Sequence, residues 1–229
     1  MRIAGIRGIA AALTLSLLSA CAAAPRGDIY QRPLAANPSA FVAAEIGFAQ
    51  LAEQKGQWAA FRETAHPDAL MFVPERVVAR DWLRQQHEPA EPLRWQPHAV
   101  YYSCDGNVGV TSGAWQKGGE TGFFNSVWLR DDKGKLHWAL RMGDRLDSPR
   151  IAPDFIATRK AACKPRREAL PPPGGNPAAA MVAGMAKDAT LEWDVSADSR
   201  GKPRLIVRLW NGEAMENVID DRVEGAGLP

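Results

Sequence analysis

Histidine, cysteine and one-sided charge are scarce in this chain, and each scarcity closes off a class of chemistry. Its four histidines, His66, His87, His98 and His137, are scattered without ligand spacing, and no His-Glu-x-x-His occurs, so no metal site is expected. There are three cysteines and no Cys-x-x-Cys pair, which argues against redox catalysis. The formal net charge is +2 with acids and bases interspersed, leaving no electrostatic footprint for nucleic acid. Neither a Gly-x-Ser-x-Gly elbow nor a glycine-rich phosphate loop before a helix is present. No cofactor and no catalytic set are expected.

What is present begins with an address. Arg2 and Arg7 precede the apolar stretch "AALTLSLL", which is too brief to span a bilayer and reads as a secretory signal over residues 1–20. It ends in Leu18-Ser19-Ala20-Cys21, which resembles the bacterial lipoprotein box, so Cys21 is expected to be acylated (palmitate among its chains) and to become the mature N-terminus. More than one acyl chain would hold the protein stably at a bilayer. Ala22, where an Asp would signal retention at the inner membrane, points to the outer membrane, facing the periplasm. Residues 21–38 carry Pro25, Pro33 and Pro38 and read as a tether.

The remaining cysteines, Cys104 and Cys163, are an even pair in an oxidising compartment and are expected to be bridged. Closing so long a loop stabilises a fold by roughly 4 kcal/mol by loop-closure entropy.

From Ser39, the expected cap, apolar residues at Phe41, Val42, Ile46, Phe48, Ala49, Leu51 and Ala52 follow helical spacing. Gly56 interrupts, "QWAAFRETA" gives a shorter helix stopped at His66-Pro67-Asp68, "ALMFVP" a brief strand and "RVVARDWLRQQ" a third helix. Then come four extended segments, Leu93 to Cys104, Val108 to Gln116, Phe123 to Arg130 and Leu136 to Met142. Their connections are short enough to force antiparallel pairing. Phe124, Ser126 and Trp128 alternate against Phe123, Asn125, Val127 and Leu129, so both faces of the sheet are expected to be covered. Helices followed by a strand meander argue for an α+β fold.

This order, together with "HPDALMFVP", "LRWQPHAVYYSCDGNVGVTSGAW" and "SVWLRDDKGKLHWAL", resembles the nuclear transport factor 2-like (NTF2-like) superfamily, and within it the DUF4440 and SnoaL-like domains. The resemblance spans about residues 40 to 145 and places the domain at 39–145. It implies a cone, a curved antiparallel sheet wrapped on the N-terminal helices around a cavity. Matched residue by residue to ketosteroid isomerase, the positions of its base and two oxyanion donors fall on Val73, Ala49 and Ser126, none of which moves a proton at neutral pH. The expected interior therefore lacks an ionisable pair. A cavity there would be lined by Trp82, His98, Tyr102, Phe124, Ser126, Trp128 and Arg141.

Beyond that domain, residues 146–187 form a connector with the basic stretch Arg159 to Arg167, the spacer "PPPGG" and an alanine-rich run expected as a short helix. Residues 188–229 form a small β-hairpin annex that turns about Ala197 to Pro203, with Ile206 on the face of Leu191, Trp193 and Val195. The expected function is a lipid-anchored, non-catalytic module that binds a small apolar ligand or a protein partner, with a homodimer as one form. The alternatives are a SnoaL-like lyase, isomerase or hydrolase using Asp68, His98 and Arg141, and a structural envelope protein acting through its C-terminal hairpin.

Overall fold

The computed structural model describes residues 36–164, 180–225 and 227–228. The signal sequence, Cys21 and most of the tether lie outside them, as does the "PPPGG" spacer. Leu34–Pro229 forms one compact unit.

Helix α1 (Pro38–Lys55) is capped by Asn37, not Ser39: the Asn37 side chain accepts the Ser39 N–H at 2.9 Å, and Pro38 occupies the first turn, where a missing N–H costs nothing. Its buried residues are Phe41, Glu45, Phe48 and Ala52, a stripe at helical spacing, while Ile46 is on the exposed side. Gly56 then adopts φ 104°, a conformation side chains resist, and turns the chain into α2 (Gln57–Thr64). The free N–H groups of Trp58 and Ala59 at the start of α2 are taken by the Glu88 carboxylate at 2.9 and 2.7 Å.

The strands that follow differ from expectation in three ways. Strand β1 (Ala65–Phe72) already includes His66, Pro67 and Asp68, expected as a helix stop. The expected third helix divides into β2 (Arg76–Val78) and a five-residue α3 (Ala79–Leu83). The main sheet is mixed, not purely antiparallel. Its order is β2-β1-β6-β5-β4-β3-β7, with β3 (Arg94–Tyr102), β4 (Val108–Lys117), β5 (Glu120–Arg130), β6 (Leu136–Leu146) and β7 (Ala157–Lys160). The meander β3 to β6 is antiparallel as its tight turns require, but β1 joins β6 and β7 joins β3 in parallel.

The C-terminal region is larger than a hairpin. Strands β8 (Ala180–Met185), β9 (Leu191–Ala197), β10 (Pro203–Trp210) and β11 (Met215–Arg222) form a four-stranded antiparallel sheet. The alanine-rich run expected as a helix enters β8. Ile206 lies opposite Asp194; the face bearing Leu191, Trp193 and Val195 is continued by Leu209, Val207 and Leu205. That face packs on Val108, Val110, Val127, Leu140 and Met142 of the main sheet, so the second sheet covers one side and the helices the other.

Polar links fasten the two sheets. Asn125 and Arg150 both reach Asp221, at 2.7 and 2.6 Å, and Arg159 pairs with Glu216. The buried Asp144 carboxylate accepts the N–H groups of Glu224 and Gly225 at 2.6 and 2.7 Å, returning the C-terminal tail to the main sheet. There Leu228 joins the helical-side core against Gly143, where a Cβ would come within 2.7 Å of its side chain.

Candidate functional site

Two β-bulges decide which side chains meet in the interior. In β6 the register slips between Trp138 and Leu140, so Trp138 and Arg141 point to the helical side while Leu140 and Met142 face the second sheet. In β3 a slip falls between Pro97 and Ala99; Pro97 has no N–H to give, and His98 is the extra residue. Trp95 before the slip and Val100 and Tyr102 after it all face the helical-side core.

At the centre of that core is a pair contrary to expectation. Glu45 of α1 meets Arg141 of β6, its Oε1 accepting from Arg141 Nη1 at 3.0 Å, and both side chains are 0% exposed. Oε1 also accepts from Trp95 Nε1 at 2.6 Å. Oε2 accepts from Thr111 Oγ1 at 2.5 Å and Trp128 Nε1 at 2.9 Å. The expectation of an interior without an ionisable pair is therefore wrong. The isomerase-like position falls on Ala49, and Glu45 lies one turn earlier on the same helix. Its sequence signal is that of a lone acid within the stripe of Phe41, Phe48 and Ala52.

The guanidinium sits in an aromatic box. Arg141 Cζ lies 4.7 Å from the ring centroids of Trp95 and Phe124, 4.9 Å from Phe48 and 5.2 Å from Phe61. Nη1 also donates to Ser126 Oγ at 2.5 Å, whereas Nε and Nη2 have no hydrogen-bond partner among the described residues and stand among the rings. Burial pulls the Arg141 pKa below its ordinary value, and the adjacent Glu45 opposes that pull. Arginine does not give up its proton in proteins, and both carboxylate oxygens of Glu45 are occupied by donors. A general base must touch its substrate directly or through one water, and the Glu45 side chain is wholly buried.

The expected pocket residues separate into three groups. Phe124, Ser126, Trp128 and Arg141 do converge in the interior, with Trp128 packed edge-on to Phe48 at 6.1 Å. Tyr102 belongs to the same core but lies toward the start of α1, against Phe41 at 6.0 Å. Trp82 packs only on its margin, and His98 lies outside it. Trp82 is partly buried against Trp58, with ring centroids 5.1 Å apart, and His98 lines a surface groove. Asp68 is exposed on β1, so Asp68, His98 and Arg141 form no constellation.

The groove, about 390 Å³, runs between α1 (Ile46, Ala49, Glu53), the bulged part of β3, and the 147–156 loop (Pro153, Asp154). Burial first, and Arg150 second, hold the His98 pKa below its ordinary value, so its ring is neutral here. Trp95 is the wall between groove and interior, its ring lining the groove while its Nε1 serves Glu45.

Cys104 and Cys163 are disulfide-bonded with Cα atoms 5.2 Å apart, tying the β3–β4 turn to the segment that leaves β7. Among the described residues, no three His, Cys, Asp or Glu side chains gather as a metal site, and no helix is long and apolar enough to cross a membrane. No protein-family model matches the chain, and no curated protein is significantly similar to it.

Proposed function

We propose that this is a lipid-anchored envelope protein, held at Cys21 on the periplasmic side of the outer membrane, whose NTF2-like domain serves as an interaction module without turnover. The observation that carries this reading is the filled interior. Glu45 and Arg141 are wholly buried, four donors occupy the carboxylate, and aromatic rings take the space in which a ligand would lie. That filling favours partner binding at the surface over capture of a small molecule within the sheet.

The test is native mass spectrometry of the Cys21→Ser protein recovered from the periplasm. The mass of the bare chain, alone or as a homodimer, is expected. A stoichiometric small molecule carried through purification would overturn the reading. The same variant is expected to leave the membrane fraction, and its retention there would contradict acylation.

A second reading, a SnoaL-like enzyme for an apolar substrate, draws on Trp95. Rotation of that one side chain would join the groove to Glu45. This reading expects Glu45→Gln to abolish a turnover that the unmodified protein performs, while the variant remains folded.

A further inference from the structure

Among the described residues the most exposed large apolar side chains lie on the 147–156 loop: Ile151 is 93% exposed and Phe155 87%. A frayed loop would explain little, but this one is pinned on both sides. Arg150 donates to Asp221 at 2.6 Å and to Ser112 at 3.3 Å, and its guanidinium lies 4.4 Å over the Phe123 ring. Ile156 packs against the helical-side core, and Pro149 and Pro153 restrict the backbone between these anchors. The structure thus leaves Ile151 and Phe155 in water, while Ala152, Pro153 and Asp154 between them share the groove with Ile46 of α1.

We propose that this loop inserts its two apolar side chains into the surface of the lipid bilayer and so fixes which side of the domain faces the membrane. The inference rests on the lipid-anchor reading for its geometry. Fifteen residues lead from Cys21 to Ala36, a reach of roughly 50 Å when extended. The loop lies beside the middle of α1, about 15 Å along the helix from its start. Anchored chains raise the effective concentration of such a contact, so even weak insertion becomes occupied. The chemistry also fits apolar insertion better than charge attraction. Arg150 is committed to Asp221, and Asp154 is the other charged group of the 149–156 stretch, so the tip offers no basic patch to anionic headgroups.

The experiment places a bimane at Phe155→Cys and, as control, at Ser199→Cys on the exposed β9–β10 turn. The full-length protein with its natural N-terminus is reconstituted into phosphatidylethanolamine–phosphatidylglycerol vesicles. A parallel arm mixes the Cys21→Ser form with excess vesicles. The label at 155 is expected to shift to the blue and to be quenched by nitroxide lipids in both arms, and the label at 199 in neither. In the Cys21→Ser arm, with the label moved to position 151, Phe155→Ser should weaken vesicle partitioning roughly tenfold, equally at low and high salt.

A label at 155 that stays in water while the protein sediments with vesicles overturns the proposal and leaves the lipid anchor standing. A shifted label in the Cys21→Ser arm, with the natural protein no better retained than that form, supports the loop and refutes the anchor. A label shielded before vesicles are added, with a doubled molecular mass, assigns the surface to a second copy and overturns the bilayer.

Discussion

The two faces of the seven-stranded sheet are equally dry, yet they are held by different chemistry. Toward the second sheet the contact is mainly aliphatic, with Val108, Val110, Val127, Leu140 and Met142 meeting Leu191, Val195, Leu205 and Val207, Phe72 and Trp193 being its aromatic members. Toward the helices it is aromatic and directional, with Phe48, Phe61, Trp95, Trp128 and Trp138 arranged around one ion pair. An aliphatic contact gains from area alone and tolerates rearrangement, whereas a buried pair is stable only while every partner is in place. The helical side is therefore the more brittle, although it buries a full charge in the company of hydrophobic rings.

The sharpest way to break this contrast is Glu45→Ala. It leaves Arg141 buried without a counter-charge and should cost about 3–5 kcal/mol in urea unfolding. Leu205→Ala on the aliphatic side should cost less, about 3 kcal/mol by the same measurement. A cost that exceeds that of Glu45→Ala would reverse the comparison.

Asp144→Asn weakens the acceptor of the Glu224 and Gly225 N–H groups and should lose about 1–2 kcal/mol. Its signature in hydrogen exchange is faster exchange confined to the tail; uniform acceleration across both sheets would show that the latch supports more than the tail.

The smallest effect concerns pH. His98 is held neutral by burial and by Arg150, with a folded-state pKa below its unfolded value. Its contribution is fully present above about pH 6.5 and is lost as pH falls from there toward the folded pKa, because the unfolded chain takes up the proton first. His98→Gln should flatten that part of the stability profile, and an unchanged slope would contradict the assignment.

How much of this was legible in the sequence depended on range. The turns at Asp105-Gly106-Asn107, Gly118-Gly119 and Lys133-Gly134 punctuate the β3–β6 meander and fix its antiparallel pairing locally. The alternation of Phe124, Ser126 and Trp128 against Val127 and Leu129 placed both faces correctly. Nothing local brings β1 beside β6 or β7 beside β3, since parallel neighbours are chosen by the folded whole. Strand β8 carries good helix formers in its Ala and Met residues, and their propensity is overridden by pairing with β9. The bulge in β3 re-aims His98, expected inside, to the surface groove, and an alternation count does not foresee an extra residue. Glu45 was missed because an acid in a helix is ordinarily assigned to solvent.

The central claim, that Glu45 and Arg141 are a mutually dependent buried pair in the fold, is tested most directly by a double-mutant cycle. Glu45→Met and Arg141→Met are each expected to lose several kcal/mol, and the double variant far less than their sum, because neither charge then remains buried alone. Single variants as stable as the unmodified protein, or more so, would contradict the account.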